Sequence, residues 1–307
     1  MKRMLCLVSE QLMPNFIPVN EPATRPEALH GIYTPSDARM SDRWQLLKNI
    51  IANKFPDVQT EDVPVADAYN PHLIQQTCAD LIGKFPDDDW TFNMTGGTKL
   101  MSSPAVEMFH RRGCLIYYVD TRNRQTLSVN ADWRVQRIAF TQSLDIETYF
   151  GIYGRQVTFG NPQSGQEEHV YRQLQRLDWQ VWPSVCLMHR GQVQHEYDAV
   201  GIDGYQCYFF ECKRMSDLRH APVSESRKDQ ARDDVLIDLL KLYQVRQSFG
   251  GPFGKSYWIF SGDYPLSEVD LARIRDCQIT LIRGEEINQI AAQPKTFGLP
   301  ARKPKPV

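Results

Sequence analysis

The sequence predicts an α/β protein of two units, and three observations carry this. Strand-like and helix-like segments alternate through the first 140 residues, which argues for a parallel sheet flanked by helices. The pattern changes near 141–165, where a Gly/Pro/Ser/Asn-rich stretch, VTFGNPQSGQ, reads as a linker. Beyond it the order becomes helix, three strands and helix, which describes a second α/β unit with a mixed sheet. At 307 residues the chain is long enough to build two cores.

Taken in order, residues 4–9 (MLCLVS) form a short apolar run and 29–34 (LHGIYT) a second strand. Residues 41–54 carry apolar side chains at helical spacing, with Ser41 or Asp42 as N-cap. A strand over 58–63 leads to a helix over 71–85, where Pro71 suits the first turn. Then come a strand at 90–94, a helix over 98–112 and a strand at 114–120. Segments 125–130 and 133–139 read as a terminal hairpin or edge strands. LDIETYFGIYG is a short helix before the Gly/Pro-rich linker. The second unit reads as a helix (166–178), strands at 180–189, 192–201 and 205–213, and a helix (229–248). The strand SYWIF and a last helix–strand–helix follow, and the basic, Pro-rich PARKPKPV tail is expected to be disordered.

Hydrophobic residues make up 42% and charged residues 23%, as in ordinary globular proteins. A net charge of −2 gives no global nucleic-acid signature, so any polyanion site must be a local basic patch. No apolar run approaches the roughly 20 residues that span a bilayer. MKRMLCLVSEQ reads as a buried first strand rather than a signal peptide, because Glu10 and Gln11 follow the apolar stretch at once. The seven cysteines are scattered, and Cys207 with Cys212 has no second pair to complete a zinc site. Free thiols in a reducing cytoplasm, away from membranes, fit this usage.

The stretch HEYDAVGIDGYQCYFFECKRM, 195–215, places acids in an apolar hairpin. Side chains alternate faces in a strand, so Glu196 and Asp198 share a face, as do Glu211 and Lys213. A reversal within Gly201–Ile202–Asp203–Gly204 brings Asp198 near Glu211. Two neighbouring carboxylates repel unless a cation lies between them, and hard oxygen ligands suit Mg²⁺ or Mn²⁺. Lys213 could hold a phosphate or orient a water there, which makes D…ExK an arrangement for phosphodiester hydrolysis. The same residues could instead be the solvated face of an edge hairpin. Consecutive Tyr208, Phe209 and Phe210 argue for a strand buried on both faces, where unpartnered acids are costly.

NMTGGTKLM, 93–101, is the second signal. Its glycines allow a sharp turn and close backbone approach, and the following helix N-terminus favours an anion. It is neither a Walker A loop nor GxGxxG, and a plain glycine turn with a Thr N-cap would look the same. Ser9, Glu10 and Gln11, Tyr33–Thr34 and Asp120–Thr121 add polar groups at other strand ends, where open α/β sheets bind ligands. Asp120 could equally be a turn residue.

D…ExK resembles the PD-(D/E)xK nuclease superfamily, although Glu196–Tyr197–Asp198 stands where the usual Pro-Asp would be. VSEQ-x-x-PN at 8–15, TGGTK at 95–99, EEHVY at 167–171, EYDAV…FFECK at 196–213 and SFGGPFGK at 248–255 occur in order. Together they resemble the CRISPR ancillary nucleases that fuse a CARF sensor domain to a PD-(D/E)xK nuclease. The resemblance implies a Rossmann-like CARF domain (1–140), a linker (141–163), a restriction-endonuclease-like domain (164–300) and a tail (301–307). It implies a homodimer that binds a cyclic oligoadenylate, with cyclic tetra-adenylate expected, across its two-fold axis. Ser9, Gln11, Thr95, Gly96, Gly97, Thr98 and Lys99 would line that pocket. Asp198, Glu211, the Cys212 main-chain carbonyl and a helix acid, Glu167 in preference to Glu168, would hold the metal. Lys213 would serve the attacking water, and Lys241, Gln244 and Arg246 could reach the backbone of a single-stranded DNA or RNA substrate. Tyr153, Tyr197 and Trp179 could stack bases or be core. Rival readings are an inactive, ligand-responsive binding module, a sensor that also degrades its messenger, and a constitutive resolvase-type nuclease.

Overall fold

The computed structural model describes residues 1–177, 179–214, 225–250, 254–262 and 266–300, by backbone alone over 225–234 and at 250. The basic tail and residues 251–253 of SFGGPFGK lie outside the described residues. The chain divides into two compact units, Met1–Gln142 with Gly151–Gly154, and Ser143–Phe150 with the chain from Arg155 onward.

The first unit is built on a seven-stranded sheet. Its strands are β1 (Lys2–Leu7), β2 (Ala28–Tyr33), β3 (Gln59–Pro64), β4 (Asp89–Asn93), β5 (Leu115–Asp120), β6 (Gln125–Val129) and β7 (Val135–Ala139). They lie in the order β3-β2-β1-β4-β5-β6-β7, parallel through β5 and antiparallel beyond it. Central β1 is buried along five of its six residues, which is why it reads as a continuous apolar run. Four helices join the strands: α1 (Met13–Asn20), α2 (Ala38–Lys54), α3 (Pro71–Lys84) and α4 (Lys99–Arg111). Helix α2 starts earlier than its periodicity suggests, because Asp37, rather than Ser41 or Asp42, caps it by accepting from the Arg39 amide at 3.0 Å.

Helix α1 has no counterpart in the sequence reading, because MPNFIPVN carries two prolines and no amphipathic stripe. All eight of its residues are buried, so packing rather than propensity makes the helix. Pro18 offers no N–H to the Pro14 carbonyl four residues back, and Asn93 Nδ2 donates to that oxygen instead, at 2.9 Å. Asn15 Nδ2 donates to Leu7 O at 2.9 Å, which ties the start of α1 to the end of β1. At the far end, buried Glu21 accepts from the Thr141 amide at 2.9 Å, the Thr141 hydroxyl at 2.8 Å and the Gln142 amide at 3.0 Å. One carboxylate thus anchors the segment that follows β7.

The second unit holds a six-stranded mixed sheet in the order β13-β12-β11-β10-β9-β8. Its elements are α5 (Ile146–Gly151), β8 (Gln156–Phe159), α6 (Gly165–Gln175), β9 (Gln180–His189), β10 (Gln192–Asp203), β11 (Gln206–Arg214), α7 (Glu225–Val245), β12 (Gly254–Ser261), α8 (Glu268–Asp276) and β13 (Ile279–Arg283). A π-helical turn, Arg246–Gly250, extends α7. Part of the expected linker is strand: β8 adds antiparallel to β9, with Gln156 opposite Met188. Its four residues are mostly exposed, so no alternation of polarity announced it. The β10–β11 reversal falls at Gly204–Tyr205 rather than within 201–204, because Asp203 still pairs with Gln206 and Gly204 takes φ 64°. Short 3₁₀ turns, Gly284–Gln289 and Pro294–Phe297, stand where a last helix was expected.

Val170 and Leu174 of α6 pack with Ala199, Tyr208, Phe210, Tyr257 and Ile259 in one cluster of this unit's core. Phe209, on the alternate side of β11, instead meets the Phe150 and Tyr197 rings.

Replacing Glu21 by alanine is expected to cost about 2 kcal/mol, because charge-assisted bonds to the 141–142 segment are lost. Replacing exposed Glu10, paired with exposed Arg39, should cost under about 0.5 kcal/mol. Urea unfolding of the two variants checks the contrast.

Candidate functional site

The register that pairs Ala199 with Phe210 brings Asp198 and Glu211 next along the β10–β11 ladder. The regular alternation of β10 slips here. Ala199 packs in the cluster with α6, whereas Tyr197 meets Phe209 on the other side. In an even strand, residues two apart share a face. Opposite Asp198, between the pairs Tyr197–Val185 and Ala199–Pro183, sits Ser184 with φ 45°. At this irregularity Asp198 Oδ2 accepts from the Cys212 amide at 2.6 Å.

Glu211 is 9% exposed. Its Oε1 accepts from Lys241 Nζ of α7 at 2.8 Å, while Oε2 is buried without a hydrogen-bond partner. Lys213 Nζ lies 3.3 Å from Asp238 Oδ2, one helical turn before Lys241. One turn of α7 therefore carries a partner for each charged residue of E-C-K. Burial pushes the Asp198 carboxyl above the usual carboxylate range, and the charges of Glu167 and Glu196 add to the rise. The Cys212 N–H and the Lys241 ammonium oppose it. Burial, then the Asp198 charge, also pushes Glu211 up, against the pull of Lys241. The Cys212 thiol is pushed well up by burial and the three surrounding carboxylates, so it stays protonated.

Glu167 lies close enough to Asp198 to be felt, but it caps its own helix. Its oxygens accept from Ser164 Oγ at 2.9 Å and the Gln163 amide at 2.6 Å. Gln163 Nε2 also donates to Glu196 Oε1 at 2.8 Å. Glu168 instead pairs with Arg172 on the helix exterior. Among the described residues, no group of three or more His, Cys, Asp or Glu side chains is gathered so as to hold a metal ion. The hairpin supplies a carboxylate pair, and Glu167 would have to leave its cap to join it. The orphaned Glu211 Oε2 and the mutual repulsion of the pair suit a cation with hard oxygen ligands.

Lys241 is turned to Glu211, and Arg246 donates to the carbonyls of Cys277 and Gln278 and to the Gln278 side chain. Gln244 is exposed. Trp179 and Tyr197 are packed against other rings, Trp179 with its indole N–H on Leu174 O. Asp238 was missed by sequence reasoning, although the D-L-L-K spacing on a helix would have flagged it.

In the first unit a cavity of about 520 Å³ opens at the carboxyl ends of the parallel strands. Val8 and Ser9 follow β1, Tyr33 ends β2 and Thr34 follows it, Asp67 and Tyr69 follow β3, and Gly97 and Thr98 follow β4. The crevice forms there because crossover connections leave on both sides of β1. Of the seven expected ligand residues, Ser9, Gly97 and Thr98 line the cavity, whereas Gln11, Thr95, Gly96 and Lys99 do not. Gln11 and Lys99 are exposed. Thr95 is a structural link: its hydroxyl donates to Asn93 Oδ1 at 2.7 Å and accepts from the Val119 amide at 2.8 Å. A Cβ on Gly96 would stand 2.3 Å from Leu7 O, and Gly97 has φ 75°. The glycine pair therefore lets the turn lie directly on the end of β1. The hydroxyls of Thr34 and Thr98 are buried without hydrogen-bond partners. Asp37 and Arg39, which sequence reasoning did not single out, also line the cavity, and Arg39 pairs with Glu10 at 3.1 Å. Asp120 serves its own turn, accepting from Asn123 and Gln125.

A Rossmann-like sheet with its crevice at these strand ends, and a second unit whose mixed sheet carries D…ExK, define a two-unit α/β architecture. Residues 4–149 match the family model of the Card1 CARF domain, and the N-terminal unit is a CARF domain. Over 97% of its length the chain shares the fold of Can2 from Sulfobacillus thermosulfidooxidans, solved in complex with cyclic tetra-adenylate. That match covers 99% of Can2 at 18% identity, with a TM-score of 0.72. The protein VC1899 from Vibrio cholerae is similar over 96% of this chain and 97% of its own, at 12% identity and a TM-score of 0.71. A type III CRISPR defence DNA nuclease activated by cyclic oligoadenylate matches 98% of this chain with 52% of its own, at 14% identity and a TM-score of 0.61. At such identities the likeness is one of fold. No curated protein matches the sequence. No helix among the described residues is long and apolar enough to cross a membrane.

A raised carboxyl pKa means that ionisation costs stability in the fold. The contribution is favourable below the unfolded value, about 4, and is lost as pH rises through the folded one. In chelator, the Asp198→Asn chain, which keeps an acceptor for the Cys212 amide, should therefore be more stable than wild type at pH 8. A gain of roughly 1–2 kcal/mol, or a few degrees in Tm, is expected. It should vanish near pH 4 in thermal melts.

Proposed function

We propose that the chain is a cyclic oligoadenylate-activated, metal-dependent endonuclease of type III CRISPR defence. It acts as a homodimer on single-stranded DNA or RNA, with cyclic tetra-adenylate as its activator. The observation that carries this reading is the pairing of half-buried Asp198 with buried Glu211, one of whose carboxylate oxygens is unpartnered, in a chain whose other unit is a CARF domain. Asp198, Glu211 and the Cys212 carbonyl would hold Mg²⁺ or Mn²⁺, joined by Glu167 once it leaves its cap. A bound divalent ion supplies Lewis acidity toward the scissile phosphate.

The chain's own groups do the rest. Lys213, drawn off Asp238, donates to a phosphate oxygen and orients the attacking water. The Cys212 amide fixes Asp198, so the acid pair is set before substrate arrives. In the sensor, the Thr34 and Thr98 hydroxyls and Arg39 offer donors to phosphate and base acceptors. Asp37 and Asp67 accept from adenine amino groups and ribose hydroxyls. A cavity of about 520 Å³ falls in the range for small-molecule sites, and a two-fold ring suits two copies of it.

A second reading has its own support. Lys241 already neutralises Glu211, and the described residues hold no ready three-group metal cluster, as in a ligand-responsive nucleic-acid-binding module without activity. A labelled single strand incubated with Mn²⁺, with and without cyclic tetra-adenylate and chelator, separates the two.

Cutting should require both metal and messenger. Glu211→Gln and Lys213→Ala should each lower it at least about a hundredfold while messenger binding is unchanged. Undiminished cleavage by Glu211→Gln would falsify the assignment. Thr98→Val should weaken messenger binding about tenfold by calorimetry, the worth of one good hydrogen bond, and Lys99→Ala should weaken it less.

A further inference from the structure

Lys241 is one of the residues that could reach a substrate backbone, yet its ammonium sits 2.8 Å from Glu211 Oε1. It is the charge that makes burial of Glu211 tolerable, because Asp198 alongside and Asp238 nearby both oppose ionisation there. Lys213 does not share this task, since its own contact is with Asp238. From this same position the Lys241 ammonium also faces an aromatic ring. Its Nζ is 5.7 Å from the centre of the Tyr197 ring, within cation–π reach, and that ring is fully buried and fixed by Phe209. The side chain is partly exposed, so the ammonium can move without unpacking the core.

We propose that Lys241 is a built-in counter-cation of the acid pair, which holds Glu211 until a divalent ion takes it and then withdraws toward solvent. The physical reason is competition. An ammonium and a divalent ion held by the same carboxylate repel each other at a separation of a few ångströms, in a partly desolvated site where screening is weak. Occupancy by one therefore opposes the other, and Lys241 sets the metal concentration at which the site loads. The inference rests on the metal-binding reading above and adds a residue that opposes loading.

Mn²⁺ binding to the full-length chain, measured by electron paramagnetic resonance without messenger or nucleic acid, tests both separately. Lys241→Met is expected to bind Mn²⁺ about tenfold tighter than wild type, and Lys241→Arg, which keeps the charge, within about threefold of it. Glu211→Gln should bind at least about tenfold weaker. If Glu211→Gln binds as wild type does, the metal site is misassigned and both readings fall. If it weakens while Lys241→Met is unchanged or weaker, only the counter-cation is overturned. A measurement on the unmodified chain guards against a folding defect in the variants. The rate of reductive methylation of Lys241, read by mass spectrometry, should rise severalfold on adding Mn²⁺. An unchanged rate at saturating Mn²⁺ overturns the proposal.

Discussion

The second unit depends on two carboxylates that its strands force together below the surface. Asp198 and Glu211 are brought side by side by the β10–β11 register, and neither can ionise freely there. The fold answers with one main-chain amide, that of Cys212, and one ammonium, that of Lys241. Both devices leave Glu211 Oε2 unsatisfied. Native folds rarely leave a buried acid oxygen unpartnered without a use for it. The local irregularity at Asp198 and Ser184 belongs to the same design, because it turns the Asp198 carboxylate toward the neighbouring strand's amide.

In the first unit the corresponding constraint is close approach. The turn after β4 lies so near the end of β1 that Gly96 has no room for a side chain. A buried network fastens this junction: Asn93 reaches Pro14 O and the Asn15 side chain, Asn15 reaches Leu7 O, and Thr95 joins Asn93 to β5. The TGGT turn is therefore first a packing element. Its cavity-facing part is limited to Gly97 and Thr98, while Thr95 and Gly96 work behind the wall. Helix α1 belongs to the same assembly, with Asn15 at the β1 end and Glu21 at the other, where it anchors the strand-exit segment.

Much of the fold was legible because local pattern and tertiary outcome agree. The central parallel strands β1 and β2 are apolar runs bounded by polar strand ends, and α3 begins with Pro71 in its first turn as expected. Disagreements occur where packing overrides pattern. Helix α1 survives two prolines because every residue of it is buried and Asn93 supplies the missing donor. Strand β8 hides in a Gly/Pro-rich stretch because an exposed edge strand of four residues has no face to mark. The candidate site was legible as D…ExK, since acids in an apolar hairpin are conspicuous. Asp238 was carried only by the D-L-L-K spacing on a helix, and that spacing does not say that its partner is Lys213.

Short-range patterns of polarity and backbone freedom suffice to specify the α/β class, the two-unit order, the hairpin that carries Asp198, Glu211 and Lys213, and the glycine turn at 95–99. Which polar groups meet is a matter of long-range packing: Lys241 with Glu211, Asp238 with Lys213, the Cys212 amide with Asp198, and Thr34 and Asp67 with Thr98 around one cavity. Those partners lie from 14 to 30 positions apart in the second unit, a separation that no periodicity encodes and that the register of strands and the docking of α7 alone can close.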